Sequence, residues 1–207
     1  MRVNAQEKWA EIFLTNSLLT RKSIKMSSGF INILRFVIDL YAAILIVRVL
    51  LQLVQADFFN PLSQSIFKIT APIVEPLNKI FPTLGRFNTA ALTAAILVKW
   101  FFYVIMMILG AIYPQELILF LFISSLSLLG ILIEIYFYGI LVVAISSWIG
   151  TLDHPTVRLV NQVIDPYMKP FRNFIPPIGM IDVSPMVAIL TLMFARAQIL
   201  PLLNGIV

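Results

Sequence analysis

The sequence predicts an all-α membrane protein: four transmembrane helices in two parallel span–loop–span repeats, with short amphipathic helices in the loops. Three observations carry this expectation. Of the 207 residues, 60% are hydrophobic and 12% charged, about half the charged share of a soluble domain. The apolar residues gather into runs long enough to cross a bilayer. A proline–glycine skeleton also occurs twice. Pro61, Pro72, Pro76, Pro82 and Gly85 recur as Pro155, Pro166, Pro170, Pro176 and Gly179, each pair 94 positions apart, which marks an internal duplication.

In chain order, residues 1–29 form a basic tail. It lacks the compact apolar core and small-residue cleavage site of a signal peptide. Two readings of it stay open: a short surface helix with Trp9, Ile12, Phe13 and Leu18–Leu19 on one face, or a true start at Met26. The first repeat covers residues 30–113. Its first span runs from about Phe30 to Val54 and its second from about Thr89 to Tyr113. Between them, Asn60 reads as an N-cap and Pro61 as the first helical residue. Leu62, Ile66, Phe67 and Ile69 then form an amphipathic helix that is predicted to end before Pro72. Asn88-Thr89 caps the second span.

Residues 114–128 form a connecting apolar segment, and 129–203 the second repeat. The run Leu117–Leu152 is too long for one upright helix and too short for a hairpin. The expectation is one span at Leu129–Ile149, preceded by an interfacial or tilted extension, with a bend near Ser124, Ser125 and Ser127. The second loop helix opens at His154-Pro155 and is predicted to end before Pro166. Ser184 is expected to N-cap the last span, with Pro185 as its first residue, and Asp153 and Asp182 to act as caps. Each repeat holds an even number of spans, so both copies face the same way and their pseudo-twofold axis runs along the membrane normal.

Five ionisable residues lie at membrane depth: Asp39, Arg48, Lys99, Glu134 and Arg196. Each costs at least about 2.5–3.5 kcal/mol at a helix centre unless paired or hydrated. Asp39 and Glu134 are repeat equivalents, and Lys99 and Arg196 fall one helical turn apart in repeat coordinates. Together they are a candidate polar network, read either as a path for ions or as pairs that fix helix orientation. Arg35 and Asp39, four apart, could also satisfy each other.

The composition excludes much else. There is no cysteine, so disulfides, thiolate metal sites and covalent haem attachment are out. His154 is the single histidine and reads as a capping residue; it cannot build a zinc site with the carboxylates as spaced. No nucleophile elbow, phosphate-binding loop or zinc-protease motif appears, and no basic patch interleaved with aromatics suits nucleic acid. No enzyme activity, metal or cofactor is expected. The partners expected are the lipid bilayer and either a membrane-protein partner or a second copy of the chain.

The residues quoted above resemble the YggT family of bacterial inner-membrane proteins, whose relatives include plastid proteins. The shared signature is Asn-Pro, a helix, Pro-x-x-x-Pro-x-x-x-x-x-Pro-x-x-Gly, then Asp-x-Ser-Pro. It reads here as Asn60-Pro61 through Gly85, and again as Pro155 through Gly179 followed by Asp182, Ser184 and Pro185. The first copy departs at its end, where Asn88-Thr89-Ala90-Ala91 replaces Asp-x-Ser-Pro. The second departs at its start, with His154 in place of Asn. Arg48 has Val143 or Ala144 as its counterpart. The resemblance implies a multi-pass protein of the bacterial inner membrane with no established catalytic residues. Roles linked to the family include osmotic tolerance and ion homeostasis, cell division, and cytochrome assembly in plastids. The leading expectation is a non-enzymatic scaffold or assembly factor, and the alternative a small channel or transporter subunit. Counted from Met26, six loop basic residues face Arg35 alone, which places the loops in the cytoplasm; counted from Met1, the two sides balance.

Overall fold

The computed structural model describes residues 28–110, 112–175 and 182–204. The tail with its two readings, and the loop residues Pro176 and Gly179, lie outside the described residues. Among the described residues six α-helices follow in order: α1 Ser28–Leu53, α2 Pro61–Asn78, α3 Thr89–Ile108, α4 Leu117–Ile149, α5 Pro155–Phe174 and α6 Ser184–Asn204. No strand occurs among the described residues. The turn at Gly85, whose φ is 60°, is closed by an isolated bridge between Leu84 and Phe87. Three stretches are long and apolar enough to cross a membrane: Gly29–Leu53, Thr89–Ile108 and Pro114–Ile149; α6 holds a shorter apolar stretch, Ser184–Ile199.

Helices α1, α2 and α3 pack on one another, and so do α4, α5 and α6; α4 also lies against α1 and α3. Lipid is as apolar as leucine, so close packing rather than water exclusion holds such helices together. Ala42, Ala90, Ala91, Ala94 and Ala95 accordingly line the α1–α3 contact with no exposed surface. Leu45, Val74 and Ala94 are fully buried in the first half, and Ile140, Met168 and Ala188, their counterparts 94 or 95 positions on, are buried in the second.

The loop helices are longer than the sequence predicts. Neither ends before its first internal proline: α2 continues through Pro72 and Pro76, and α5 through Pro166 and Pro170. An interior proline removes one donor and crowds the carbonyl four residues back; for Pro72 that is the carbonyl of Lys68. Contacts with α1 offset the cost in α2. The Phe67 carbonyl accepts from Arg48 Nη1 at 3.3 Å, and the Ile69 carbonyl accepts from the Tyr41 hydroxyl at 3.3 Å. All four prolines are exposed, so their rings leave the packed faces of both helices intact.

The third apolar run also differs from expectation. It is one unbroken helix of 33 residues, about 50 Å long, rather than a span with a separate extension. Ser124 and Ser125 donate to the Leu121 carbonyl and Ser127 to that of Ser124. These hydroxyls are thus satisfied within the helix, without interrupting its ladder. Trp100 Nε1 of α3 donates to the Leu121 carbonyl and Ser125 Oγ at 3.0 and 2.9 Å, which anchors the early turns of α4. Gly150, with φ 80°, ends the helix in the left-handed conformation that glycine adopts without strain.

The caps mostly follow the sequence. Asn60 accepts from the amide of Leu62, His154 Nδ1 from that of Thr156, and Asn88 from that of Ala91. Two expectations are corrected. Ser184 is not the side-chain cap of α6: Asp182 accepts from the Ser184 amide at 2.9 Å, while the Ser184 hydroxyl is buried without a partner. Asp153 is not a cap either. Its carboxylate pairs with Arg158 at 2.9 Å, and His154 holds the capping position.

Candidate functional site: ion pairs and a clamp between the loop helices

The five intramembrane ionisable residues fall into three separate groups. Asp39 of α1 and Lys99 of α3 form an ion pair at 2.5 Å. Arg35 does not pair with Asp39; its guanidinium lies over the Phe102 ring, 5.5 Å from the centroid. The helical spacing allows the Arg35–Asp39 contact, but Lys99 approaches Asp39 from the neighbouring helix and is itself buried. A buried ammonium left without a carboxylate is the costlier arrangement. Glu134 of α4 and Arg196 of α6 pair at 3.4 Å. In each half, then, an acid on the leading helix meets a base on the closing helix. The environments differ. The Lys99 and Asp39 side chains are 10% and 38% exposed, whereas those of Arg196 and Glu134 are 44% and 46% exposed, so the difference lies in the buried lysine.

Arg48 stands apart from both pairs. It is buried, donates to Thr70 Oγ1 at 2.7 Å and to the Phe67 carbonyl, and lies 4.8 Å from the centroid of the Phe67 ring. The Thr70 hydroxyl in turn donates a hydrogen bond to the Ile66 carbonyl at 2.6 Å. Arg48 thus bolts α1 to the turn of α2 that Pro72 disrupts. In the second half, the counterparts of Arg48 and Thr70 are Val143 and Ile164, which share one apolar cluster. The same α1–α2 type of contact is polar in one copy and greasy in the other. Thr70 was not legible as a partner of Arg48; comparing positions 94 apart, which turns up isoleucine opposite threonine, was the available signal.

The two loop helices begin side by side. The Asn60 carbonyl oxygen caps α2, and its Nδ2 donates to the Pro155 carbonyl at 2.8 Å. The Asp57 amide donates to Gln162 Oε1 at 3.1 Å. One asparagine thus uses both ends of its amide, one inside its own repeat and one across to the other. Histidine at 154 supplies only the capping half. Proline at 155 has no amide hydrogen, but its carbonyl carries a second lone pair beside its helical bond, and that is what Asn60 uses. Gln162 carries no sequence signal of this role.

The faces that α2 and α5 present differ. On α2, Leu62 and Ile69 are exposed, with Phe58 and Phe59 just ahead of it. On α5, the exposed face is ionic: Asp165 pairs with Lys169 at 3.2 Å and with Arg172 at 3.1 Å, and Arg172 reaches Asp182 at 3.8 Å. Against the bundle, the Tyr167 hydroxyl donates to the Ala188 carbonyl at 3.1 Å. Burial pushes this phenol above its ordinary value of 10.0, so it remains a donor at physiological pH. Pro82 and Gly85 lie in the loop after α2, where the Thr89 hydroxyl donates to the Pro82 carbonyl at 2.8 Å. Pro61 and Pro155 are the first residues of their helices, and Pro185 lies in the first turn of α6.

No group of three or more His, Asp or Glu residues that could hold a metal ion converges among the described residues. Chemically, the arrangement offers paired charges and an ordered surface.

Comparison with known proteins agrees on kinship. The family model described as CCB3/YggT matches twice, at residues 27–110 and 122–203. An uncharacterised protein of Pseudomonas aeruginosa, PA0392, is 34% identical over 175 residues, covering 82% of this chain and 87% of its own length. The uncharacterised protein YggT of Escherichia coli K12 is 34% identical over 160 residues, covering 77% of this chain and 83% of its own. A shorter stretch of 60 residues is 35% identical to YlmG homolog protein 2, chloroplastic, of Arabidopsis thaliana, covering 29% of this chain and 24% of that one. No solved structure matches the chain.

Proposed function

From the premise that this chain belongs to the CCB3/YggT family, we propose that it is a non-enzymatic scaffold of the bacterial inner membrane. Its joined loop helices form the contact surface for other membrane proteins. In this reading α1, α3, α4 and α6 all cross the bilayer, in two parallel repeats whose loops face the cytoplasm. The observation that carries the reading is the clamp. Asn60–Pro155 and Asp57–Gln162 join two otherwise separate amphipathic helices into one platform, apolar at Phe59, Leu62 and Ile69 and ionic at Asp165, Lys169 and Arg172. A pre-ordered surface pays less ordering entropy on binding than a flexible loop. The division of the charges within the apolar helices adds support, since each acid is matched to a base in its own repeat rather than strung along a path. The test is photocrosslinking in native membranes from probes at Phe59, Leu62 and Lys169. Discrete, reproducible protein adducts are expected. Adducts to lipid alone would end the scaffold reading.

A second reading, a small channel or transporter subunit, rests on the half-exposed Glu134–Arg196 pair, because intramembrane charges commonly mark ion pathways. Purified protein in liposomes separates the two: ion flux abolished by Glu134→Gln or Lys99→Met favours transport, and absent flux favours the scaffold.

A further inference from the structure

The two ion pairs are equivalent in the repeats but not in their cover. Counting back from the loop-side ends of their helices at 1.5 Å per residue, Asp39 and Glu134 lie about 21 and 23 Å deep, and Lys99 and Arg196 about 15 and 18 Å. All four therefore sit inside a hydrocarbon core of about 30 Å. In the first half, α4 packs on both α1 and α3, the helices that carry the pair. The contact that would do the same for the second half, α1 on α6, has no comparable packing among the described residues; α6 packs chiefly on α4 and α5. Its outer face is bare, with Met193 52% and Phe194 69% exposed beside Arg196. A half-exposed ion pair at that depth would face lipid, and charged side chains in spans almost always face protein or water instead.

We propose that a second copy of this chain covers the α4–α6 face, related by a twofold axis along the membrane normal. The argument is charge complementarity at fixed depth. A partner must present an acid and a base at the level of Glu134 and Arg196, in reversed order. A copy rotated about the normal does so by symmetry, its Glu134 facing this Arg196 and its Arg196 facing this Glu134, as an isologous interface requires. Spans alone offer no such match in depth. The dimer rests on the reading that α4 and α6 both cross the bilayer.

The chain has no cysteine, so one introduced thiol reports on the face directly. Met193→Cys in native membranes should yield a disulfide-linked dimer on mild oxidation; Phe36→Cys, which is still more exposed on α1, should not. In the Met193→Cys background, Glu134→Arg or Arg196→Glu alone places like charges together and should lower the dimer yield about tenfold or more. Combining the two restores complementarity and should recover it. Because the swap also restores the pair within each chain, unchanged circular dichroism of the single variants is what separates lost docking from misfolding. A chain that photobleaches as a monomer in lipid bilayers, or a Met193 position that crosslinks only to a different protein, overturns the proposal. Labelling of Met193→Cys by a membrane-impermeant maleimide would instead sink the four-span reading beneath it. No labelling and no dimer sinks the dimer alone.

Discussion

Removing one partner of the Asp39–Lys99 pair should cost stability, and removing both should cost little. Lys99 is the deeper of the two, its side chain 10% exposed against 38% for Asp39. Loss of one member of a buried pair typically costs about 3–5 kcal/mol, because the other charge is stranded. Asp39 is more than a third exposed, so solvent screening reduces the figure for Asp39→Ala to about 2 kcal/mol. Lys99→Met should cost less, about 1 kcal/mol, because the stranded carboxylate is the more accessible member. Arg35 also lies one turn away, its guanidinium held over Phe102 and within reach of Asp39 as a substitute. The double variant should lie within about 1 kcal/mol of the parent, leaving a coupling energy of about 2 kcal/mol. Steric-trap unfolding in bicelles measures all four corners of the cycle. Additive single costs, with a coupling below about 0.5 kcal/mol, would refute the idea that the pair is a structural latch.

Three further outcomes follow from local geometry. A Cβ at Gly139 would come within 2.7 Å of Ile164 Cγ2; Gly139→Ala should therefore destabilise by about 1–2 kcal/mol, and Ile164→Ala should relieve part of that, read as non-additivity in the same unfolding assay. Gln55 holds φ at 52° at the counterpart of Gly150, so Gln55→Gly should stabilise by about 1 kcal/mol; a loss of stability would contradict this account. Asn60→Asp keeps the cap on Leu62 but turns a donor into an acceptor facing the Pro155 carbonyl. It should loosen the contact between the loop helices while α2 stays helical, seen as faster amide exchange near Pro155 with unchanged circular dichroism.

The parts of the fold that were legible are those written in local chemistry. Asn60, Asn88 and His154 announce helix starts because a short polar acceptor ahead of a proline or an apolar run has one obvious use. The ends of the loop helices were misread because the penalty of Pro72 is local while its compensation is not: Arg48 and Tyr41 donate to the neighbouring carbonyls from 19 and 28 residues away in the chain. Ser184 was misread as a cap for a smaller reason. Asp182, two residues earlier, accepts from the Ser184 amide, and the Ser184 hydroxyl is left buried without a partner.

By itself the sequence determined that this is a helical membrane chain built by duplication. Hydropathy and a 94-residue proline register need no partner to be read, since bilayer thickness and proline stereochemistry act on each segment alone. The tertiary structure decided which charges meet. Asp39 chose Lys99 over Arg35, Arg48 chose Thr70, and Asn60 reached across to Pro155. Those choices depend on distances between helices, and a one-dimensional register of equivalent positions does not contain them. It is also the tertiary structure that made the copies unequal, burying the base of one ion pair and leaving that of its twin half exposed, because α4 packs on both α1 and α3 while α6 packs chiefly on α4 and α5.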